Sequence, residues 1–110
     1  MLIGCCKEIK NNEYRVGLTP SMVKSLVSKK NDVMIEKGAG LGSGFSDANY
    51  IDAGARIVTT KEIFSDAELI IKVKEPQSSE REKLNSGQIL FTYLHQHLLH
   101  LVLYYLHKLL

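Results

Sequence analysis

Cysteine is scarce in this 110-residue chain, with two residues side by side at Cys5 and Cys6. Neighbours on a strand point to opposite faces, so the pair closes no useful loop. It reads as reduced, buried and cytoplasmic rather than as a disulfide framework. Surplus charge is lacking too. The 14 Lys and Arg against 12 Asp and Glu leave a net charge of +2, too small and too dispersed for a nucleic-acid footprint. Leu2-Ile3-Gly4-Cys5 has no basic and apolar region before it, so no targeting segment is read there. No run reaches the roughly twenty apolar residues of a membrane span. A dinucleotide fingerprint is also missing. Gly38-Ala39-Gly40-Leu41-Gly42-Ser43-Gly44 follows one strand and precedes a helix, the right setting. Counting from Gly38, however, the third glycine falls at Ser43, and counting from Gly40 it falls at Phe45. A tight, close-packed turn is the plainer reading.

What is present alternates between strand and helix. Leu2 to Cys6 reads as a first strand, and Lys7 to Leu18, without periodicity, as the loop at its carboxyl end. Thr19-Pro20 opens a helix, threonine as cap and proline in the first position. Val23, Leu26 and Val27 form its apolar face, and Asn31 is expected as its left-handed cap. Val33 to Glu36 is strand two. Ser46-Asp47 begins a helix that Gly54 ends, Ala55 to Val58 is strand three, and Thr60 starts a helix to about Ser65. Leu69 to Pro76 is a short apolar run stopped by Glu75-Pro76, the mark of a strand buried on both faces. Ser78-Ser79 begins a short helix, Glu80 to Leu84, that ends near Gly87, and Gln88 to Leu94 is strand five. The alternation predicts an α/β, doubly wound, mainly parallel sheet with helices on both faces.

From Gln96 the character changes. The stretch to Leu110 has no acidic residue, glycine or proline, and all 4 histidines lie between His95 and His107. His97 and His100 share a helical face, with His107 near it two turns on. A metal site needs further ligands and supporting carboxylates, which this stretch lacks, so no metal is expected. It reads as an amphipathic or sticky tail.

Open α/β sheets bind ligands at the carboxyl ends of their strands. Arg15 follows strand one, Lys74 ends strand four and His95 follows strand five, so all three are expected at one crevice. A guanidinium gives a carboxylate two parallel hydrogen bonds, lysine adds a compact charge, and histidine exchanges a proton near neutral pH. Together they suit a 2-oxo acid.

Several segments also resemble a known family. Lys7-Glu8-Ile9-Lys10-Asn11-Asn12-Glu13-Tyr14-Arg15-Val16 with Leu18-Thr19-Pro20 is similar to the amino-terminal segment of bacterial NAD-dependent L-alanine dehydrogenases. Gly38-Ala39-Gly40 through Phe45-Ser46-Asp47, Lys72-Val73-Lys74-Glu75-Pro76 and Phe91-Thr92-Tyr93-Leu94-His95 resemble it in order and spacing. The likeness covers residues 1 to 95. It implies a flavodoxin-like substrate domain and oxidative deamination of L-alanine to pyruvate and ammonia with reduction of NAD. Arg15 and Lys74 would hold the substrate, and His95 would give or take the proton. The related nicotinamide nucleotide transhydrogenases generally lack the Lys-Glu-Pro and Leu-His elements.

The departures are also informative. Family members are longer, with a Rossmann NAD domain after this segment, a catalytic aspartate within that domain, and a returning segment that completes the substrate domain. This chain is therefore expected to be a truncated or frame-shifted product, with residues 96–110 as a divergent tail and no cofactor-binding residues of its own. It is expected not to turn over alone and to be marginally stable. Its partners would be L-alanine or pyruvate and, by the resemblance, copies of itself or a separately encoded NAD-domain chain; neither nucleic acid nor membrane is expected. A transhydrogenase-like nucleotide module and a non-catalytic product are the alternatives.

Overall fold

The computed structural model describes residues 1–94 and 100–106. Its centre is β1 (Leu2–Cys5), which pairs in parallel with β2 (Asp32–Glu36) on one side and with β4 (Leu69–Lys72) on the other. Beyond β2 lies β3 (Arg56–Val58), and beyond β4 lies β5 (Gln88–Leu94), both parallel to their neighbours. The chain thus builds the sheet outward from β1 in one direction and then, after β3, in the other. The α/β, doubly wound class expected from the alternation holds. Within it the strand order is 3-2-1-4-5, the Rossmann-type order rather than the 2-1-3-4-5 of flavodoxin. The reversal between β1 and β4 leaves a crevice at their carboxyl ends.

Alternation along each strand divides the core into two layers. Ile3, Cys5, Val33 and Ile35 face one side with Val23, Tyr50 and Ala55, the side of α1 (Pro20–Ser28) and α2 (Asp47–Asp52). Cys6, Met34, Ile70 and Leu90 face the other with Ile63, Phe64 and Leu84, the side of α3 (Thr60–Asp66) and α4 (Ser78–Arg81). Gly4 belongs to the second layer, because a Cβ there would lie 3.0 Å from that of Ala67. Helix starts follow the sequence signals. Thr19 Oγ1 accepts from the Met22 N–H, and Ser46 and Thr59 each share a reciprocal box with Asn49 and Glu62.

Three local expectations need correction. The left-handed residue that ends α1 is Lys30, at φ 72°, not Asn31. Asn31 instead donates from both its main-chain N–H and its Nδ2 to the Leu26 carbonyl, closing the helix from one residue further on. α4 begins at Ser78, as expected, where Glu80 turns back with its Oε1 accepting from the Gln77 N–H at 2.9 Å, but it ends at Arg81 rather than Leu84. Part of the expected tail is β6 (His100–Leu106), antiparallel to β5 from Leu94↔His100 to Gln88↔Leu106. Periodicity alone does not separate a short apolar helix from a strand, and the open edge of β5 decides in favour of the strand.

Candidate functional site

The loop from Cys6 to Thr19 folds over the carboxyl ends of β1 and β4. Asn12 takes a left-handed conformation, and the Glu13 N–H closes a turn on the Lys10 carbonyl. The returning limb then runs close to β4. A Cβ on Gly17 would fall 2.8 Å from the Ile71 carbonyl oxygen, so only glycine lets the limb descend this far. Arg15 and Lys74 thereby reach the wall of one cavity of about 390 Å³, with Val16, Met22, Phe45, Val73 and Tyr93 around them. It opens at the β1/β4 reversal, where the strand-end argument places it. His95 lies outside the described residues, and Tyr93 is the described side chain that β5 contributes.

Behind the two cations stand carboxylates that no sequence pattern announced. Glu13 accepts from Arg15 Nε at 2.9 Å, from Nη2 at 2.8 Å and from the Arg15 main-chain N–H at 2.9 Å. These hydrogen bonds hold the Glu13 carboxyl down to about 2, outweighing the opposing effect of burial. Glu8 is buried and does similar work at β4. It accepts from Lys72 Nζ at 2.9 Å, from the Val73 N–H at 2.9 Å and from the Lys74 N–H at 3.2 Å. Lys72 is 1% exposed and reaches Glu80 as well, at 3.2 Å. Burial alone would lower the Lys72 pKa. The negative neighbours, Cys6 and the Glu8 and Glu80 carboxylates, reverse that and raise it. At neutral pH the carboxylates carry this effect, because burial also drives the Cys6 thiol well above its usual range. Lys72 is a charge locked inside the strand, whereas Lys74, two residues on, lines the cavity.

The glycine-rich turn is filled with protein. A Cβ on Gly40 would fall 2.6 Å from the Tyr50 ring, and one on Gly42 would fall 2.8 Å from the Tyr14 carbonyl oxygen. Ser43 Oγ donates to that same carbonyl at 2.9 Å. The turn is a buttress for the loop that carries Arg15, and it leaves no cradle for a pyrophosphate. Among the described residues no cluster of His, Cys, Asp or Glu suits a metal ion, and no helix is long and apolar enough to cross a membrane.

The fold and the cavity define a doubly wound α/β domain that places two cations, Arg15 and Lys74, at its switch point. The model of the alanine dehydrogenase/PNT amino-terminal domain matches residues 4–106, and the chain belongs to that family. It is 60% identical over 96 residues to an alanine dehydrogenase of Methanococcus maripaludis, covering 86% of this chain and 26% of that enzyme. To the alanine dehydrogenase of Bacillus subtilis it is 52% identical over 95 residues, covering 86% and 25%. A solved L-alanine dehydrogenase superposes with a TM-score of 0.82 at 50% identity, covering 86% of this chain and 26% of that one. A transhydrogenase from Sinorhizobium meliloti superposes at 0.81 with 36% identity, covering 86% and 27%. The chain therefore spans about a quarter of the length of these relatives.

Proposed function

We propose that this chain is the substrate-holding part of an L-alanine dehydrogenase, which converts L-alanine, NAD and water to pyruvate, ammonia and NADH. The observation that carries the reading is the shared cavity of Arg15 and Lys74 at the β1/β4 reversal. Among the described residues Nη1 of Arg15 has no partner, so its Nη1–Nη2 edge would take the substrate carboxylate, and Lys74 would contact a second oxygen from the same cavity. His95, one residue beyond β5, is assigned the proton that moves on the substrate oxygen or nitrogen. NAD, when bound by the complete enzyme, accepts the hydride; its site belongs to sequence outside this chain. Identities of 50 to 60% to alanine dehydrogenases against 36% to the transhydrogenase favour the amino-acid enzyme. On this reading the chain binds pyruvate without turnover until an NAD-domain segment or partner completes it. It works in the cytoplasm, in an assembly of several copies.

Titration calorimetry of the full chain with pyruvate tests the reading. Loss of one charge-assisted contact, about 1.5–3 kcal/mol, predicts that Arg15→Ala and Lys74→Ala each weaken binding by roughly tenfold or more. Unchanged affinity in both variants would remove the assignment. Saturable NADH binding by the chain alone would favour the transhydrogenase-like module instead.

A further inference from the structure

The loop that presents Arg15 to the cavity also carries the arginine's counter-ion, two residues earlier. The side chain of Glu13 is 5% exposed and that of Arg15 is 61%. The carboxylate lies behind the guanidinium, in a separate recess of about 70 Å³, off the wall of the larger cavity. It occupies the Nε–Nη2 edge of Arg15. Among the described residues Nη1 has no protein partner, which leaves the Nη1–Nη2 edge as a fork for one ligand carboxylate. Lys74 has its main-chain N–H held by Glu8, whose carboxylate is paired with Lys72 Nζ. Beyond Arg15 and Lys74 the described wall holds no further cation: Val16, Met22, Phe45 and Val73 are apolar, and Thr19, Ser43 and Tyr93 bring only neutral hydroxyls.

We infer that Glu13 sets the charge class of the ligand, making the cavity selective for 2-oxo monocarboxylates over 2-oxo dicarboxylates of the same shape. The inference rests on the 2-oxo-acid site proposed above. Glu13 and a carboxylate held on the outer edge of Arg15 would be separated by the width of one guanidinium. That is well inside the screening length of about 8 Å at physiological salt. Glu13 stays ionised at neutral pH, so its field on the ligand is constant. Coulomb energy scales with the charge of the ligand. Removing the Glu13 charge must therefore help a dianion more than a monoanion, whatever else it does to the loop.

The test is titration of the full chain with oxaloacetate and with 4-methyl-2-oxovalerate, which replaces the second carboxylate by an apolar branch of the same size. Wild type is expected to bind the apolar ligand more tightly. In Glu13→Gln and Glu13→Ala the preference shifts toward oxaloacetate by on the order of tenfold. Glu13→Asp keeps the charge and so keeps the wild-type preference, even where both affinities fall. A purely structural role for Glu13 would weaken both ligands alike and leave their ratio untouched. Two neutral variants guard against poor folding of either. An unchanged ratio in the neutral variants, or a wild type that already prefers oxaloacetate, overturns the inference while pyruvate binding stands. A wild type that binds neither probe and no pyruvate overturns the site itself, and the inference with it.

Discussion

Lys72 and Lys74 are two residues apart and have opposite fates, and sequence alone shows only part of the reason. Side chains two apart on a strand share a face, yet Lys72 is inside, between Glu8 and Glu80, while Lys74 lies past the strand end at the cavity. Replacing Lys72 by methionine leaves two carboxylates buried together without their cation. The expected cost is about 3–5 kcal/mol of unfolding free energy, measured by urea titration at pH 7. Cys5 makes the stability depend on pH. Burial pushes its thiol from 9.0 to about 12, so between those values the folded chain holds a proton that the unfolded chain has released. Stability must fall as pH rises through that window, and the raised Lys72 adds a loss of the same sign. Urea titrations from pH 8 to pH 11 should show a shallower decline in Cys5→Ala than in wild type. Arg15 and Lys74 were legible in the sequence because each follows a recognisable strand. Glu8 and Glu13 were not, since an acidic residue in an aperiodic loop looks solvated until the fold closes over it.

Most elements with a local signal were read correctly, and the one decided by a partner was not. Thr19-Pro20, Ser46-Asp47 and Gly54 mark their helix boundaries because capping is settled within one turn. β1, β2 and β4 were legible as apolar runs too short for a buried helix. β6 was not, because an apolar run of this length suits helix and strand alike and the antiparallel ladder with β5 decides it. The glycine-rich turn makes the same point about function. Its composition suggests phosphate, and its packing assigns it to the Arg15 loop. Gly42→Ala should therefore force Tyr14 and the Arg15 loop away from the turn, since backbone rather than a flexible side-chain tip stands 2.8 Å from the added Cβ. The expected outcome is a loss of about 1–2 kcal/mol, typical of local overpacking, together with weaker pyruvate binding. A stability loss with full pyruvate affinity would separate the turn from the site.

At the scale of the molecule the two faces of the sheet are covered unequally. α1 and α2 pack over β1, β2 and β3, so beyond α1 the same face of β4 and β5 remains a groove of about 300 Å³. Its lining includes Leu26, Leu69, Ile71 and Phe91. A doubly wound sheet normally buries both faces of its central strands. Among the described residues, no helix covers β4 and β5 on this side. The four crossovers place α1 and α2 on one face and α3 and α4 on the other. An exposed apolar strip beside a long, uncharged edge strand favours self-association. Light scattering should show a mass that rises with protein concentration, and an apolar dye such as ANS should bind. Phe91→Thr puts a β-branched strand former in the ladder while removing an aromatic ring from the groove, so it should lower both signals and leave pyruvate affinity intact, because Phe91 lines the groove and not the Arg15–Lys74 cavity. A wild-type chain that stays monomeric and dye-free at high concentration would mean that the groove is already closed within the single chain.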